Sequence, residues 1–586
     1  MRPPSLFGTL LLCGGVVATT SDPSAVDTKN NVTYNGLNRN GVEAFLNIPY
    51  GQDTSGANRF KPPQAFVPKP GSTINAQAYG PSCPQPLGEG FPPLTLSNVT
   101  AISEDCLHLN IIRPVNVTAN DSLPVLVYIY GGGFWTGMNS ELVTQPDGMV
   151  LESVENGLPI VHVAMNYRLG VWGFAKSDAL QSEGSENAAL RDQRLAIEWV
   201  RDNIANFGGD PSKITISGQS SGGLAVGMQI MAFGGSKPAP FQRGICESQA
   251  LEPGITGNFT IDAMEALVNY VGCNTTSLHS AQTIECLRNL TMEELEAAEE
   301  ATYSDDIGHN VGDIWLPSVD GDFLPLPPSQ LIAEHKFANV DVMMGWCQDD
   351  VALFTDTTIS NTSDTYAFLS SYLPSLSSTD LDALLALYPS SEFSSTTTSS
   401  GTLAAEFWRT ARIFRDILMT CEPVYYGSAL AAAGNDVFLY DWNQTILDPI
   451  LSYLYQLPDL GVIHTSEFAY VFGNISHWDT DGYPFAPTAS DYALVRRGAR
   501  SWGTFASLGV PGLAGKDTFQ GFGTSFPKGA AAASGNASFS VFVAGGPEEG
   551  FSPVEGPGAK AVVAEQKLRE RCAFINSADI IAQLKF

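Results

Sequence analysis

The chain has 586 residues, and 61 acidic against 30 basic side chains leave a formal net charge of −31. A surplus of that size excludes a protein that grips nucleic acid through a basic surface. Hydrophobic residues at 44% against charged ones at 16%, with 9 Trp, 19 Tyr and 31 Phe, exclude a disordered or fibrous chain and supply a large packed core.

At the N-terminus, Met1 and Arg2 precede an apolar run over residues 6–17, Val16 and Ala18 offer a small-residue cleavage site, and Ser21, Asp22 and Pro23 follow. The run is too short to span a bilayer and reads as a secretory signal peptide, approximately residues 1–20. Residues 21–586 then form one domain, because no internal repeat and no linker rich in Pro, Gly and charge divides them. No later stretch reads as a membrane span, and residues 582–586 are not the hydrophobic tail that precedes lipid anchoring. The expectation is a secreted, extracellular protein without a membrane anchor.

Secretion gives meaning to eleven Asn-x-Ser/Thr sequons as candidate glycan sites: Asn31, Asn98, Asn116, Asn120, Asn258, Asn274, Asn289, Asn361, Asn443, Asn474 and Asn536. It also leaves eight cysteines once Cys13 departs, an even number in an oxidising compartment. Spacing alone does not choose their pairing; Cys83 with Cys106 and Cys273 with Cys286 are the local candidates.

Continuous apolar runs at 125–130, 159–165 and 213–217 have the pattern of strands buried on both faces. Between the second and third, residues 187–207 carry Leu190, Leu195, Ile197, Trp199, Val200, Ile204 and Phe207 at helical intervals. Strand, helix and strand in that order predict an α/β protein with a large, mostly parallel central sheet flanked by helices. The first run ends in Gly131-Gly132-Gly133, where side-chain-free residues let backbone N–H groups approach a substrate carbonyl.

The third run ends in Gly218-Gln219-Ser220-Ser221-Gly222, a G-x-S-x-G pattern. Chance supplies about half such a match in a chain of this composition, so the context carries the reading. Ile214 and Ile216 provide the preceding strand, and Leu224, Val226, Met228 and Ile230 the following apolar helix, as a serine presented on a strand-to-helix turn requires. The Ser221 N–H would join those of the glycines as an oxyanion donor. Serine becomes a useful nucleophile only when a histidine takes its proton and a carboxylate orients that histidine. Downstream stand His279, His309, His335, His464 and His477, of which His464 lies in a turn between apolar segments. Asp349 and Asp350 follow a short strand at 342–345, and on these grounds either could serve. The Ser/Thr-rich stretch 390–401 reads as a surface loop between helical regions.

Residues 207–222, Phe-Gly-Gly-Asp-Pro-Ser-Lys-Ile-Thr-Ile-Ser-Gly-Gln-Ser-Ser-Gly, resemble the serine signature of the type-B carboxylesterases, which include cholinesterases and fungal lipases. Residues 104–110 are similar to the family's second signature, with His108 where an aromatic residue or Thr is usual. Asn166-Tyr167-Arg168, Asp192-Gln193-Arg194, Gly461-Val462-Ile463-His464 and Phe472-Gly473 extend the likeness over nearly the whole mature chain.

The resemblance implies an α/β-hydrolase fold and ester hydrolysis without metal or cofactor. It makes Ser220 the nucleophile, His464 the general base and Asp350 the acid, with Gly132, Gly133 and Ser221 as oxyanion donors. The family usually has Glu where Asp350 stands, so a shorter carboxylate must reach His464 through a small backbone shift, and Asp349 stays a minor alternative. Glu467 resembles a carboxylate placed behind the histidine. The likeness also pairs Cys83 with Cys106, Cys273 with Cys286 and Cys421 with Cys572, leaving Cys246 and Cys347 as buried thiols or as a fourth bridge.

Departures bear on the substrate, a small-molecule or lipid ester. Cholinesterases of this type carry a Trp in the first disulfide loop and Glu before the nucleophile, both favouring a quaternary ammonium. This loop has no Trp and Gln219 is neutral, so choline esters are not expected. In fungal lipases the loop is a longer amphipathic lid; here 22 residues separate the cysteines, with Phe91-Pro92-Pro93-Leu94 its main apolar patch. That favours soluble or short-acyl esters, a triacylglycerol lipase with interfacial activation being the alternative. Relatives that lost the serine and serve as adhesion domains define a third, non-catalytic reading.

Overall fold

The apolar runs become the centre of a single large sheet. The computed structural model describes residues 22–307, 313–398, 400–480, 482–527 and 538–586. The signal-peptide segment, His309 and Asn536 lie outside the described residues. Eleven strands build the main sheet: β1 (Leu37–Arg39), β2 (Val42–Pro49), β3 (His108–Pro114), β4 (Leu123–Ile129), β5 (Val161–Met165), β6 (Gly209–Gln219), β7 (Arg243–Glu247), β8 (Asp341–Cys347), β9 (Val437–Trp442), β10 (Ser540–Ala544) and β11 (Gly550–Pro553). Their spatial order is β11-β10-β9-β8-β7-β6-β4-β5-β3-β2-β1. From β10 to β5 every neighbour is parallel, and antiparallel strands close both edges.

The register fits the sequence pattern. Val125, Val127 and Ile129 of β4 lie opposite Ile214, Ile216 and Gly218 of β6, all fully buried or nearly so, as a strand covered on both faces demands. Helix α1 (Ala188–Asn203) follows β5 and ends in a tighter turn at Ile204–Phe207, so the helical stretch read over 187–207 is one helix plus that turn. Helix α2 (Ser221–Met231) follows β6 and packs on β6 and β7, buried along its whole length. The Ser/Thr-rich stretch is more ordered than an irregular loop: Thr396–Thr398 and Gly401–Leu403 pair as an antiparallel hairpin, which suits β-branched Thr.

Disulfides join Cys83 to Cys106, Cys273 to Cys286 and Cys421 to Cys572. The last spans 151 positions and ties the helix Cys421–Ala432 to the helix Leu568–Ile575. Closing a loop of that length removes about 5 kcal/mol of chain entropy from the unfolded state. Cys246 and Cys347 are buried and unpaired, and burial raises both thiols well above their ordinary range.

Candidate active site

Strand β6 ends at Gln219 and α2 begins at Ser221, leaving Ser220 alone between them at φ 60°, ψ −129°. A residue with a Cβ is strained there and persists only where its surroundings fix it. The Ser220 N–H donates to Glu247 O at 2.9 Å, and its carbonyl accepts from Leu224 N at 2.9 Å. The turn closes tightly because glycine stands on each side: a Cβ on Gly218 would sit 2.4 Å from Gly222 O, and one on Gly222 2.2 Å from Ile129 O.

The glycine loop after β4 is held by Tyr130, whose ring stacks on Tyr167 at 4.4 Å while each hydroxyl bonds the other's carbonyl. Gly132 and Gly133 take φ values of +108° and +65°. A Cβ on Gly131 would lie 2.9 Å from the Ser220 Cβ, so the loop runs directly beside the serine. Phe134 N donates to Ser221 Oγ at 3.1 Å, locking loop to helix. Among the described residues, nothing accepts from the N–H groups of Gly132 and Gly133, and Ser221, as the first helical residue, has no intrahelical acceptor.

Asp350 lies in the turn after β8, fully buried. Its Oδ2 accepts from Cys347 N at 2.8 Å and its Oδ1 meets His464 Nδ1 at 2.5 Å. The short carboxylate reaches because His464 N also donates to Asp350 O at 3.0 Å, drawing the two backbones together. Asp349 faces the other way: its Oδ2 accepts from Val462 N at 3.1 Å, so it holds the loop that carries His464 and leaves the ring to Asp350. The far edge of the imidazole faces Gln219, whose Nε2 lies 3.0 Å from His464 Nε2. Among the described residues no hydrogen bond joins that nitrogen to Ser220 Oγ.

Glu467 is buried and accepts from the Cys347 thiol at 3.1 Å; burial, with the nearby Asp350 charge, pushes its carboxyl up to about 7. The sequence reading missed Glu247, which ends β7, accepts from Trp502 Nε1 at 2.5 Å and is held well above the usual carboxylate range by burial and by Glu467. It also missed Glu252 and Asp313. The available signal was an isolated acid in an apolar flank, Ala250-Leu251-Glu252 and Asp313-Ile314-Trp315.

Ser220, Gly131, Gly132, Gly133, Gln219 and His464 all face one cavity of about 620 Å³. Residues of the Cys83–Cys106 loop cover it, and two carbonyls of that loop are held from below: Tyr455 Oη donates to Pro92 O at 2.6 Å and Trp478 Nε1 to Pro93 O at 3.0 Å. Leu87, Phe91 and Phe354 line the cavity and are 60%, 47% and 40% exposed. A hydroxyl, an imidazole oriented by a carboxylate, and unspent N–H groups around one cavity are the parts acyl transfer requires.

Of the sequons, Asn31, Asn98, Asn116, Asn120, Asn258, Asn274, Asn289 and Asn361 are exposed, and Asn443 is half-buried. Asn474 is a correction. It is buried, and its Nδ2, the atom a glycan would occupy, donates to Leu142 O at 3.1 Å and Val143 O at 2.8 Å. Among the described residues no helix is long and apolar enough to cross a membrane.

Comparison with known proteins gives the family and the fold. The model of the carboxylesterase family matches residues 26–532. A secreted lipase of Arthroderma benhamiae is 53% identical over 564 residues, 96% of each chain. An inactive carboxylesterase-like protein of Byssochlamys spectabilis is 34% identical over 84% of each chain. The crystal structure of Aspergillus niger EstA superposes with a TM-score of 0.74 over 97% of this chain and 99% of that one, at 24% identity, which speaks for the α/β-hydrolase fold.

Proposed function

Since the chain belongs to the carboxylesterase family and is a carboxylic ester hydrolase, we propose that it is a secreted serine esterase that works through an acyl-enzyme, with Ser220 as nucleophile, His464 as general base and Asp350 as the acid that orients it. The observation that carries this is the 2.5 Å contact between Asp350 and His464 Nδ1, in a site whose cavity also holds Ser220. With Nδ1–H given to Asp350, the Nε2 lone pair takes the Ser220 proton once the Gln219 amide turns aside. Ser220 Oγ then attacks the ester carbonyl, and the negative charge that develops on oxygen is met by the N–H groups of Gly132, Gly133 and Ser221. One such donor is typically worth about 10²–10³ in rate. His464 returns the proton to the leaving alcohol, then activates the water that frees the acid. Residues 1–20 act as signal peptide and 21–586 as the hydrolase domain, in keeping with the secreted relative.

The inactive relative makes active-site labelling the deciding test. A fluorophosphonate should add one phosphonyl group per chain, on the peptide that contains Ser220. A chain that stays unlabelled would instead be a binding protein.

A second reading, a triacylglycerol lipase, is favoured by the exposed Leu87, Phe91 and Phe354 at the cavity, since an apolar rim suits an oil surface. Against it stands the short, tied-down covering loop. The rate on glycerol esters of rising acyl length, followed across their solubility limits, should climb smoothly for an esterase; a jump where droplets form identifies the lipase.

A further inference from the structure

Among the described residues, the acidic charge of the cavity that holds Ser220 meets no lysine or arginine. Among the cavity's described lining residues are four carboxyl groups. Two of the four are accounted for: Glu89 is exposed at the rim, and Glu141 accepts from the N–H groups of Leu96, Ser97 and Val143. Glu252 and Asp313 remain, brought together from segments far apart in sequence. Glu252 has partners, the Tyr372 hydroxyl at 3.3 Å and the Asp313 backbone. Among the described residues the Asp313 side chain has none.

Asp313 sits against the glycine loop: a Cβ placed on Gly133 would lie 2.4 Å from its Oδ1. The same wall carries Trp135 and Tyr303, stacked with centroids 4.0 Å apart and planes 3° from parallel, both facing the cavity. A free carboxylate beside aromatic faces is a cation-binding combination. The placement also has a catalytic consequence. A negative charge beside Gly133 opposes the negative charge that forms on a neutral ester's carbonyl oxygen, whereas an ammonium on the substrate cancels it.

We propose that Asp313, backed by Glu252, is a specificity determinant that selects esters carrying a protonated amine over neutral esters of the same size. The proposal rests on the Ser220 reading above. A primary or tertiary ammonium is favoured because it can donate a hydrogen bond to the carboxylate, which a quaternary ammonium cannot.

Burial pushes the Asp313 carboxyl up to about 6, with the His464 charge pulling the other way, and burial with the Asp313 charge holds Glu252 well above the usual range. Among the described residues, the other titratable groups that feel Asp313 are the hydroxyls of Tyr167, Tyr303 and Tyr372, all raised. At pH 8 the Asp313 carboxyl is therefore ionised. The charge is present above about 6 and is lost as pH falls through that value.

The test compares isosteric pairs. Ethyl 6-aminohexanoate against ethyl heptanoate places the amine on the acid side; 3-(dimethylamino)propyl butyrate against 4-methylpentyl butyrate places it on the alcohol side. At pH 8 one amine ester should exceed its neutral partner in kcat/KM by about tenfold or more, and which pair does so identifies the side. The ratio should shrink towards one by pH 5. Both substrates use the same proposed triad, so any change in its competence affects both rates alike and leaves the ratio unchanged. Asp313→Asn should abolish the preference and at the same time raise kcat on ethyl heptanoate at pH 8, a gain that a damaged fold cannot produce. Equal rates within both pairs at pH 8, or an unchanged ratio in Asp313→Asn, overturn the assignment. Loss of heptanoate hydrolysis in Ser220→Ala tests the underlying reading separately, so the two failures are distinguishable.

Discussion

Ser220→Ala should lower kcat on p-nitrophenyl butyrate by about 10⁶-fold and leave the unfolding transition where it was. The activity loss follows from position: Ser220 is the residue on the turn between β6 and α2 that faces the cavity. The neighbouring hydroxyl offers no substitute, because Ser221 is buried and its Oγ accepts from Phe134 N. Stability should hold because alanine keeps the Cβ, so the positive φ is no more strained than before, and the glycines that make room for the turn are untouched. Steady-state rates, with a thermal melt on the same sample, read both parts. A variant that keeps more than about a hundredth of the wild-type rate places the nucleophile elsewhere.

Asp350→Asn should cost about 10⁴ in kcat, the scale set by the same change in other serine hydrolases of triad type. The hydrogen bonds of this turn give a specific reason. Cys347 N donates to Oδ2 of Asp350, so an asparagine is anchored with its carbonyl oxygen on Cys347 and its amide turned towards His464. Nδ1 must then accept, the ring proton moves to Nε2, and no lone pair remains for the serine proton. Asp349→Asn keeps an acceptor for Val462 N and should cost less than about tenfold. If the two variants lose activity equally, the acid has been assigned to the wrong neighbour.

The central strands were legible because burial on both faces leaves uninterrupted apolar runs, and Ser220 was legible because its strained turn demands glycine at fixed offsets. Asp349 and Asp350 were not separable in the same way. They are identical neighbours, and which one meets the histidine depends on a turn whose partners, Val462 and His464, lie more than a hundred residues on. Glu252 and Asp313 went unnoticed for a related reason: they meet only because the fold brings two distant segments to one cavity. Asn474 shows the opposite failure. A three-residue sequon carries no information about depth, and this one sits on an amide already given to backbone carbonyls. The length of the covering loop could be read directly, but not the hydrogen bonds that hold it.

Those two bonds tie the cover of the cavity to the chain around His464. Tyr455 and Trp478, which grip the carbonyls of Pro92 and Pro93, lie on either side of His464 in the chain. The covering loop therefore cannot swing away without breaking hydrogen bonds to side chains on both sides of His464 in the chain. An ester that must displace the loop to enter breaks both bonds, while one small enough to pass beneath leaves them made. On the proposed roles, the loop that borders the entrance is thus tied to the chain on both sides of the general base.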